Sequence, residues 1–460
     1  MKNFSLSLYA FHLRQALDDP PDSVNPEADR LWESLTQLSK VLDFPELKNL
    51  KSQLICYSPD SDNRPQYHPQ AENTLRYEWL SHHAGEVKFT AIPTPAGFKL
   101  GGKLQPFRLH DTYCVDLTLS PDPQDLELGV ENLGCFHPKD LVSQIEANLG
   151  KFVWLTGYST ESELPKQAEA WVNAFCAKTG LIPEFIEGGK LFHADCFLYE
   201  AQNITILISI ANPNNSTEVE QSANDNYDRF RNLLWSRQKI LFVQEKAKQC
   251  YENTRKIYSQ LENQINSFYE LFESPTEARL KKLDSLLTSL PKDLLEYNCY
   301  LRDLKAHYTT LDTNAQNFKT CLDRVIQPGD NLQTWADFAE KICPRFLTQI
   351  KTYINYLEPG KELFTELVNT IRATATVEQT KANQDLQDHI QAIGVGIAAG
   401  AIVASSFGLV TQPWYFPNRE KIELPFLSPH PLIMALIFSG LCSVGSWLIA
   451  RKVIEQKRGK

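Results

Sequence analysis

The sequence predicts an α+β membrane protein: an N-terminal α/β domain with a mixed sheet, a long helical stalk and a C-terminal two-helix transmembrane hairpin. Three observations carry that prediction. Two long uncharged apolar runs lie near the end of the chain. A glycine-poor stretch with apolar steps of three and four precedes them, and the first part interleaves strand-like and helix-like patterns.

The first run, Ile390–Val410, reads IQAIGVGIAAGAIVASSFGLV. At about 21 residues it is long enough to cross a hydrocarbon core of roughly 30 Å as a helix. The second, Pro431–Ala450, reads PLIMALIFSGLCSVGSWLIA and is also uncharged. Between them lies Thr411–His430, with Trp414, Tyr415 and Phe416 where an aromatic belt would sit, and Trp447 suits the other face. Two core helices of a soluble protein are the competing reading, and the length of the runs speaks against it. Arg451, Lys452, Lys457, Arg458 and Lys460 follow the second run. The loop holds only Arg419 and Lys421, offset by Glu420 and Glu423. The positive-inside rule then places both the N- and C-termini in the cytoplasm. The apolar run Phe4–Phe11 is too short and interrupted for a signal peptide, and ten cysteines without a CxxC fit a reducing compartment.

Within the first run Ala392, Gly396, Gly400, Ala404 and Gly408 recur every four residues, and Gly396–Gly400 is a GxxxG. Small residues at that spacing let helix backbones approach closely. Two readings are open: packing against the second run, which has Ser439, Gly440, Ser443 and Gly445, or packing of several copies around an axis as a narrow pore or plug. Neither run holds Asp, Glu, Lys, Arg or His. A pore would be lined by backbone carbonyls, Ser405, Ser406 and small apolar groups.

Residues 222–388 read as the stalk. Tyr227, Phe230, Leu234 and Leu241, then Tyr258, Leu261, Ile265, Phe268 and Phe272, form helix seams that Arg237 and Lys248 interrupt. Breaks are expected at Pro275, Pro291, Pro328–Gly329 and Pro359–Gly360, with a kink at Pro344. Ser274–Glu277 is a helix restart with an N-cap, a first-turn proline and a glutamate. Lys361–Asp388 has neither proline nor glycine and runs into the first span as one helix, its Glu378, Asp385 and Asp388 reading as a solvated face.

Residues 1–213 read as the α/β domain. Phe4, Leu6 and Leu8 alternate with Ser5, Ser7 and Tyr9 as a half-buried strand. Further strands are expected at Ser52–Tyr57, Leu75–Leu80, Glu86–Ile92, Tyr113–Leu119, Phe152–Leu155, Leu191–Tyr199 and Asn203–Ile210. Helices are expected at Pro26–Leu42, Pro138–Leu149 and Glu163–Lys178. Pro59–Asn73 and Asp122–Gln124 read as loops, and Ala211–Asn226 as the boundary to the stalk. Residues 389–450 then form the hairpin and 451–460 a basic tail.

Chemistry is sparse. There is no P-loop, GxSxG, HExxH or GxGxxG. His82–His83, Cys135 with His137, and His193 with Cys196 are the suggestive clusters. A Cys196–His193 nucleophile and base is weighed against ordinary half-buried residues, and the ordinary reading is preferred. Gly188-Gly189-Lys190 reads as a hairpin turn. No enzyme is expected and no cofactor site is identifiable, while a metal site is left open. A net charge of −10 with a pI near 5.6 argues against a nucleic-acid partner.

A cytoplasmic α/β domain, long helices, a stalk helix continuing into the first of two spans and a short basic tail: this order resembles the CorA family of two-span divalent-cation channels. The resemblance covers about the last half of the chain. It implies a lipid bilayer, a homo-oligomer of five subunits with the first span lining the pore, and a divalent cation as the transported species. Where that family has Gly-Met-Asn, this chain reads Gly408-Leu409-Val410 and keeps only the glycine. The asparagine oxygen that would receive hydrated magnesium is missing, so a gated pore of altered ion selectivity is implied. Two alternatives accompany it. One is a membrane-attached sensor or effector whose N-terminal domain binds a small molecule or nucleotide. Its sharpest form is a CRISPR-linked antiviral defence effector, since CorA-like membrane proteins occur beside such systems. The other is a structural tether.

Overall fold

The structure, a computed structural model, describes residues 1–15, 23–69, 79–81, 85–177, 179–202, 204–273, 275–409 and 431–457. It divides into two units, Met1–Lys256 with Tyr297–Pro359, and Ile257–Glu296 with Gly360–Lys460.

The first unit is built on β1 (Lys2–Leu13), β2 (Tyr57–Pro59), β3 (Pro65–Tyr67), β4 (Val87–Pro93), β5 (Lys99–Leu109), β6 (Thr112–Asp122), β7 (Gly150–Tyr158), β8 (Glu184–Leu191), β9 (Ala194–Ala201) and β10 (Ile204–Ala211). Eight of these form one sheet in the order β4-β5-β6-β1-β7-β10-β9-β8, while β2 and β3 pair apart. The sheet is mixed: β7 and β10 run parallel and the other neighbours antiparallel. The short helices α1 (Arg30–Gln37), α2 (Pro45–Lys48), α3 (Leu50–Gln53) and α4 (Leu141–Gln144) and the longer α5 (Leu164–Cys176) accompany it.

Alternation along β1 explains the layering. Phe4, Leu6, Leu8 and Ala10 enter a core with Trp32, Trp79, Phe136 and Trp171, since successive strand side chains point to opposite faces. The other face carries Ser5, Ser7, Tyr9 and Phe11 and meets α6 (Ser216–Glu270), whose portion up to Lys256 belongs to this unit. Phe230 of α6 is the hub, its ring 4.8 Å from Trp154, 5.7 Å from Phe192, 6.0 Å from Phe152 and Trp335 and 6.2 Å from Tyr9. Of the two charges that interrupt the α6 seam, Lys248 is exposed, whereas Arg237 anchors the helix together with Lys239 and Arg231. Arg237 reaches Glu200 at 3.1 Å and Thr205 at 3.2 Å, Lys239 reaches Asp111 at 2.5 Å, and Arg231 lies 4.2 Å over the ring of Phe107. Buried ions persist only when paired in this way.

α7 (Thr276–Val325), α8 (Gln333–Asp337), α9 (Cys343–Leu409) and α10 (Pro431–Lys457) complete the chain. In the second unit the ends of α6 and α7 pack on α9 through Leu261, Phe268, Leu283, Leu290, Phe364, Leu367 and Ile371, all buried. Glu378, read from sequence as part of a solvated face, is buried and paired with Arg279 and Lys381, each at 3.4 Å.

Several local expectations are corrected. Gly188 and Gly189 lie inside β8, and the hairpin turns at Phe192–His193, both with positive φ. Glycine is needed at 189 for another reason: a Cβ there would stand 3.0 Å from Asn331 O and Oδ1. Asn331 closes on the strand edge by accepting from Lys190 N–H and donating to Lys190 O. Of the expected strand Ser52–Tyr57 the first two residues belong to α3, Leu54 makes a single bridge to Leu80 and only Tyr57 enters a strand, and of the expected helix Pro138–Leu149 only α4 forms. Strand β5 went unread because Gly101, Gly102 and Pro106 mask its alternation. Pro291 and Pro359 end no helix. Both sit at exposed positions inside α7 and α9, where the carbonyl each ring leaves unbonded faces water. Pro344 falls in the first turn of α9, behind a π-helical turn at Phe338–Ile342. His82–His83, residues 75–78 of the expected strand Leu75–Leu80, and Thr411–His430 with its aromatic and charged residues lie outside the described residues.

Burial favours the neutral form of two histidines. His137 Nδ1 lies 3.2 Å from Phe175 O while Nε2 accepts from Val142 N–H at 3.1 Å. His12 Nε2 lies 2.9 Å from Glu27 O while Nδ1 accepts from Asn148 N–H. Burial lowers both pKa values, against the raising effect of Phe175 O and Asp140 on His137 and of Glu27 O on His12. A histidine whose folded pKa is depressed takes up a proton on unfolding below its unfolded value of about 6.5. Stability from these two rings is therefore present above that pH and lost as pH falls through it. Histidine-labelled NMR of the folded chain should show both rings titrating below the free value of about 6.5; a midpoint of either at or above that value would refute the assignment.

Candidate functional site

The candidate site is the antiparallel pairing of α9 with α10 in the second unit. Both helices are long and apolar enough to cross a membrane, with best windows of mean hydropathy 1.3. A core helix of a soluble protein passes the same test but is mostly buried. Here only 17% of one window and none of the other is buried. Ile390, Ile393, Ile397 and Ile402 of α9 and Leu436, Leu441, Val444 and Ile449 of α10 are all exposed.

The small residues set the contact. A Cβ on Gly396 would lie 2.9 Å from Ser443 O and 3.1 Å from Trp447 Cβ, and one on Gly400 would overlap Ser443 Oγ. Ser439 Oγ donates to Gly400 O at 2.7 Å. Ala392 is buried. Thus three of the residues singled out from sequence, Ala392, Gly396 and Gly400, share one buried ridge. Ala404 and Ser405 do not join it. Both are exposed, and Ser405 Oγ donates to Ala401 O of its own helix at 2.7 Å. The cause is helical drift: four residues turn an α-helix about 40° past a full circle, so a four-residue repeat leaves a straight contact after two or three steps. Gly408 and Leu409 end α9, and Val410 lies outside the described residues. At the polar end Asp385, Asp388, His389, Ala392, Arg451 and Glu455 line a cavity of about 290 Å³, in which Arg451 pairs with Glu455 at 2.9 Å.

A second stripe on α9 was not read from the sequence. Thr370, Ala373, Val377, Thr380, Gln384, Gln387, Gln391, Gly394, Ala398, Ala401 and Ser405 follow one another in strict alternation of three and four residues. Every one is exposed, and none is charged. They lie opposite the ridge of Phe364, Ile371, Glu378, Ala392, Gly396 and Gly400, which is buried. At 1.5 Å per residue this face is about 50 Å long. Its signal in the sequence is an uncharged arc: from Thr370 to Ser405 the charges Arg372, Glu378, Lys381, Asp385 and Asp388 keep to three heptad positions, and the two of the stripe, with the one of Thr376, Asn383 and Ile390 beside them, carry none.

The remaining clusters do not assemble. Cys196 is buried with its thiol 3.1 Å from Ser209 Oγ, and burial pushes it up to about 12, whereas His193 is exposed in the hairpin turn. His137 is enclosed as described above and Cys135 is half-buried. Among the described residues no group of three His, Cys, Asp or Glu is placed to hold a metal ion.

No family model matches the chain. No curated protein matches it either. Among solved structures it is similar to the CorA magnesium transporter from Methanocaldococcus jannaschii, at 13% identity and TM-score 0.24, over 65% of this chain and 89% of that one. It is similar also to the full-length CmaX protein, at 13% identity and TM-score 0.24, over 66% and 88%.

Gly400→Leu forces bulk against Ser443 and Ser439 and should destabilise the hairpin by about 1–3 kcal/mol, read by thermal unfolding in detergent. Ile397→Leu, at an exposed position, should leave the melting temperature within a degree or so. Equal effects would mean that the ridge does not pack as described.

Proposed function

We propose that this chain is an integral membrane protein whose α9–α10 hairpin spans a bilayer, and that copies assemble around α9 as a CorA-like gated pore. Five copies follow the resemblance in layout, with both termini cytoplasmic and no catalytic step.

The observation that carries the reading is the uncharged stripe from Thr370 to Ser405. A single exposed helix gains little from keeping this arc free of charge through the charged segment Thr370–His389, about 30 Å at 1.5 Å per residue. Parallel copies of the same helix do, because identical charges at one level of a symmetric bundle repel. Spanning helices of one topology are parallel between copies. A repeat of 3.5 residues gives the left-handed supercoil that keeps such a face turned to the axis. With Gly396 and Gly400 occupied by α10, this opposite face is the one left for an axis, and the large apolar side chains of Ile390, Ile393, Ile397 and Ile402 flank it toward lipid.

The lining would be amides and hydroxyls of Thr380, Gln384, Gln387, Gln391 and Ser405 between small residues, with no fixed charge. Such oxygens replace part of an ion's hydration shell but add no Coulomb attraction for a divalent over a monovalent cation. With Leu409 and Val410 where the family has Met and Asn, selectivity altered away from magnesium follows.

Ion flux into liposomes holding the full chain tests the reading. The wild-type protein should conduct, and Gln391→Glu should shift permeability toward cations by several-fold. A flux-silent protein, or one indifferent to Gln391→Glu, would contradict it. Cysteines give a second check in a Cys442→Ala background. Ala398→Cys should cross-link copies on oxidation, whereas Ile397→Cys should stay monomeric on a denaturing gel.

A further inference from the structure

We propose that the first unit carries a binding site for an uncharged, flat nitrogen heterocycle of nucleoside size, in a pocket between the polar end of the sheet and the first turns of α6. The pocket measures about 310 Å³ and takes its walls from β1, β7, β10, the β8–β9 turn and α6. That is the lower end of the range for small-molecule sites. It lies wholly within the first unit, so it stands or falls independently of the pore.

One wall is a prepared aromatic platform. Trp154 is partly exposed, and its indole is fixed by donation from Nε1 to Ser209 Oγ at 2.7 Å and by Phe192 and Phe230 behind it. Tyr158 stands two residues along β7, its hydroxyl donating to Glu220 of α6 at 2.8 Å. The rim is amide. Asn3, Gln124 and Asn224 line the pocket, and among the described residues their side chains make no hydrogen bond within the protein. Asn3 is aimed there by an irregularity: the β1–β7 register shifts between Lys2 and Ser5, and Asn3 adopts a φ of 47°. Bulges re-aim side chains at sheet edges beside functional sites. Primary amides offer a donor and an acceptor side by side, matching the alternating ring-nitrogen, amino and carbonyl edge of a heterocycle whose face stacks on an aromatic ring.

Charge sets the rest of the specificity. Glu220 is the ionisable acid of the lining, and no lysine or arginine joins it. The neighbouring depression, which shares Ser5 and Gln124, holds Lys88 and Lys103, but both are committed to Glu86 at 3.6 and 2.9 Å. A phosphate would meet a carboxylate without a free cation, so the neutral nucleoside is favoured over its monophosphate.

Calorimetric titration of the full chain in detergent tests this, with adenosine, guanosine, cytidine and uridine, their 5′-monophosphates, and glucose. At least one nucleoside should bind, its monophosphate several-fold more weakly and glucose not at all. Asn224→Leu and Gln124→Leu, both at exposed positions, should each weaken binding about tenfold or more while leaving the ligand-free melting temperature unchanged. Failure of all four nucleosides, tighter binding of a monophosphate or of glucose, or indifference to both substitutions would overturn the proposal.

Discussion

The close approach of α9 to α10 at Gly396 and Gly400 governs the second unit. With Ser443 and Ser439 occupying the space where side chains would stand, and Ser439 donating to Gly400 O, the rotation of α9 about its own axis is fixed. Fixing rotation sorts the other faces. Isoleucines fall on the flanks and the uncharged three-four stripe falls opposite. In the proposed bilayer, hydrocarbon would supply no hydrophobic drive for helix pairing, and small-residue packing with the serine hydrogen bond would hold the hairpin.

Much of this was legible beforehand, and the exceptions are instructive. The apolar runs and the small-residue repeat showed in the sequence because composition alone defines them. The sequence left open whether the repeat meets α10 or other copies, since a helix face carries no label of its occupant. The stripe from Thr370 to Ser405 escaped notice because it crosses from a polar into an apolar segment, so that no single scale of hydrophobicity marks it. Its residues are alike only in lacking charge and in phase. In the first unit β1 was plain from its alternation. Gly188-Gly189 misled because glycine marks turns in general, whereas here it admits the backbone of Asn331. Arg237 read as a fault in a seam because its partners, Glu200 and Thr205, lie on distant strands.

The two units rest on different physics. In the first, one long helix is tied to a sheet by a phenylalanine hub and by buried ion pairs. Its sheet face grades from aromatic at Tyr9 and Phe152 to polar at Asn3 and Ser5, and the polar end is where a pocket opens. The second leaves most of its apolar surface uncovered, a cost that only lipid or further copies relieve. Helix α9, 67 residues without a break, belongs to both.

The central claim is that α9 assembles with copies of itself. The mass of the full chain in mild detergent or lipid nanodiscs, by native mass spectrometry or light scattering, tests it most directly. The account predicts a closed ring of several copies, five by resemblance, that Gln387→Lys breaks down by placing like charges at one level. A monomer, or an assembly indifferent to that substitution, would contradict it.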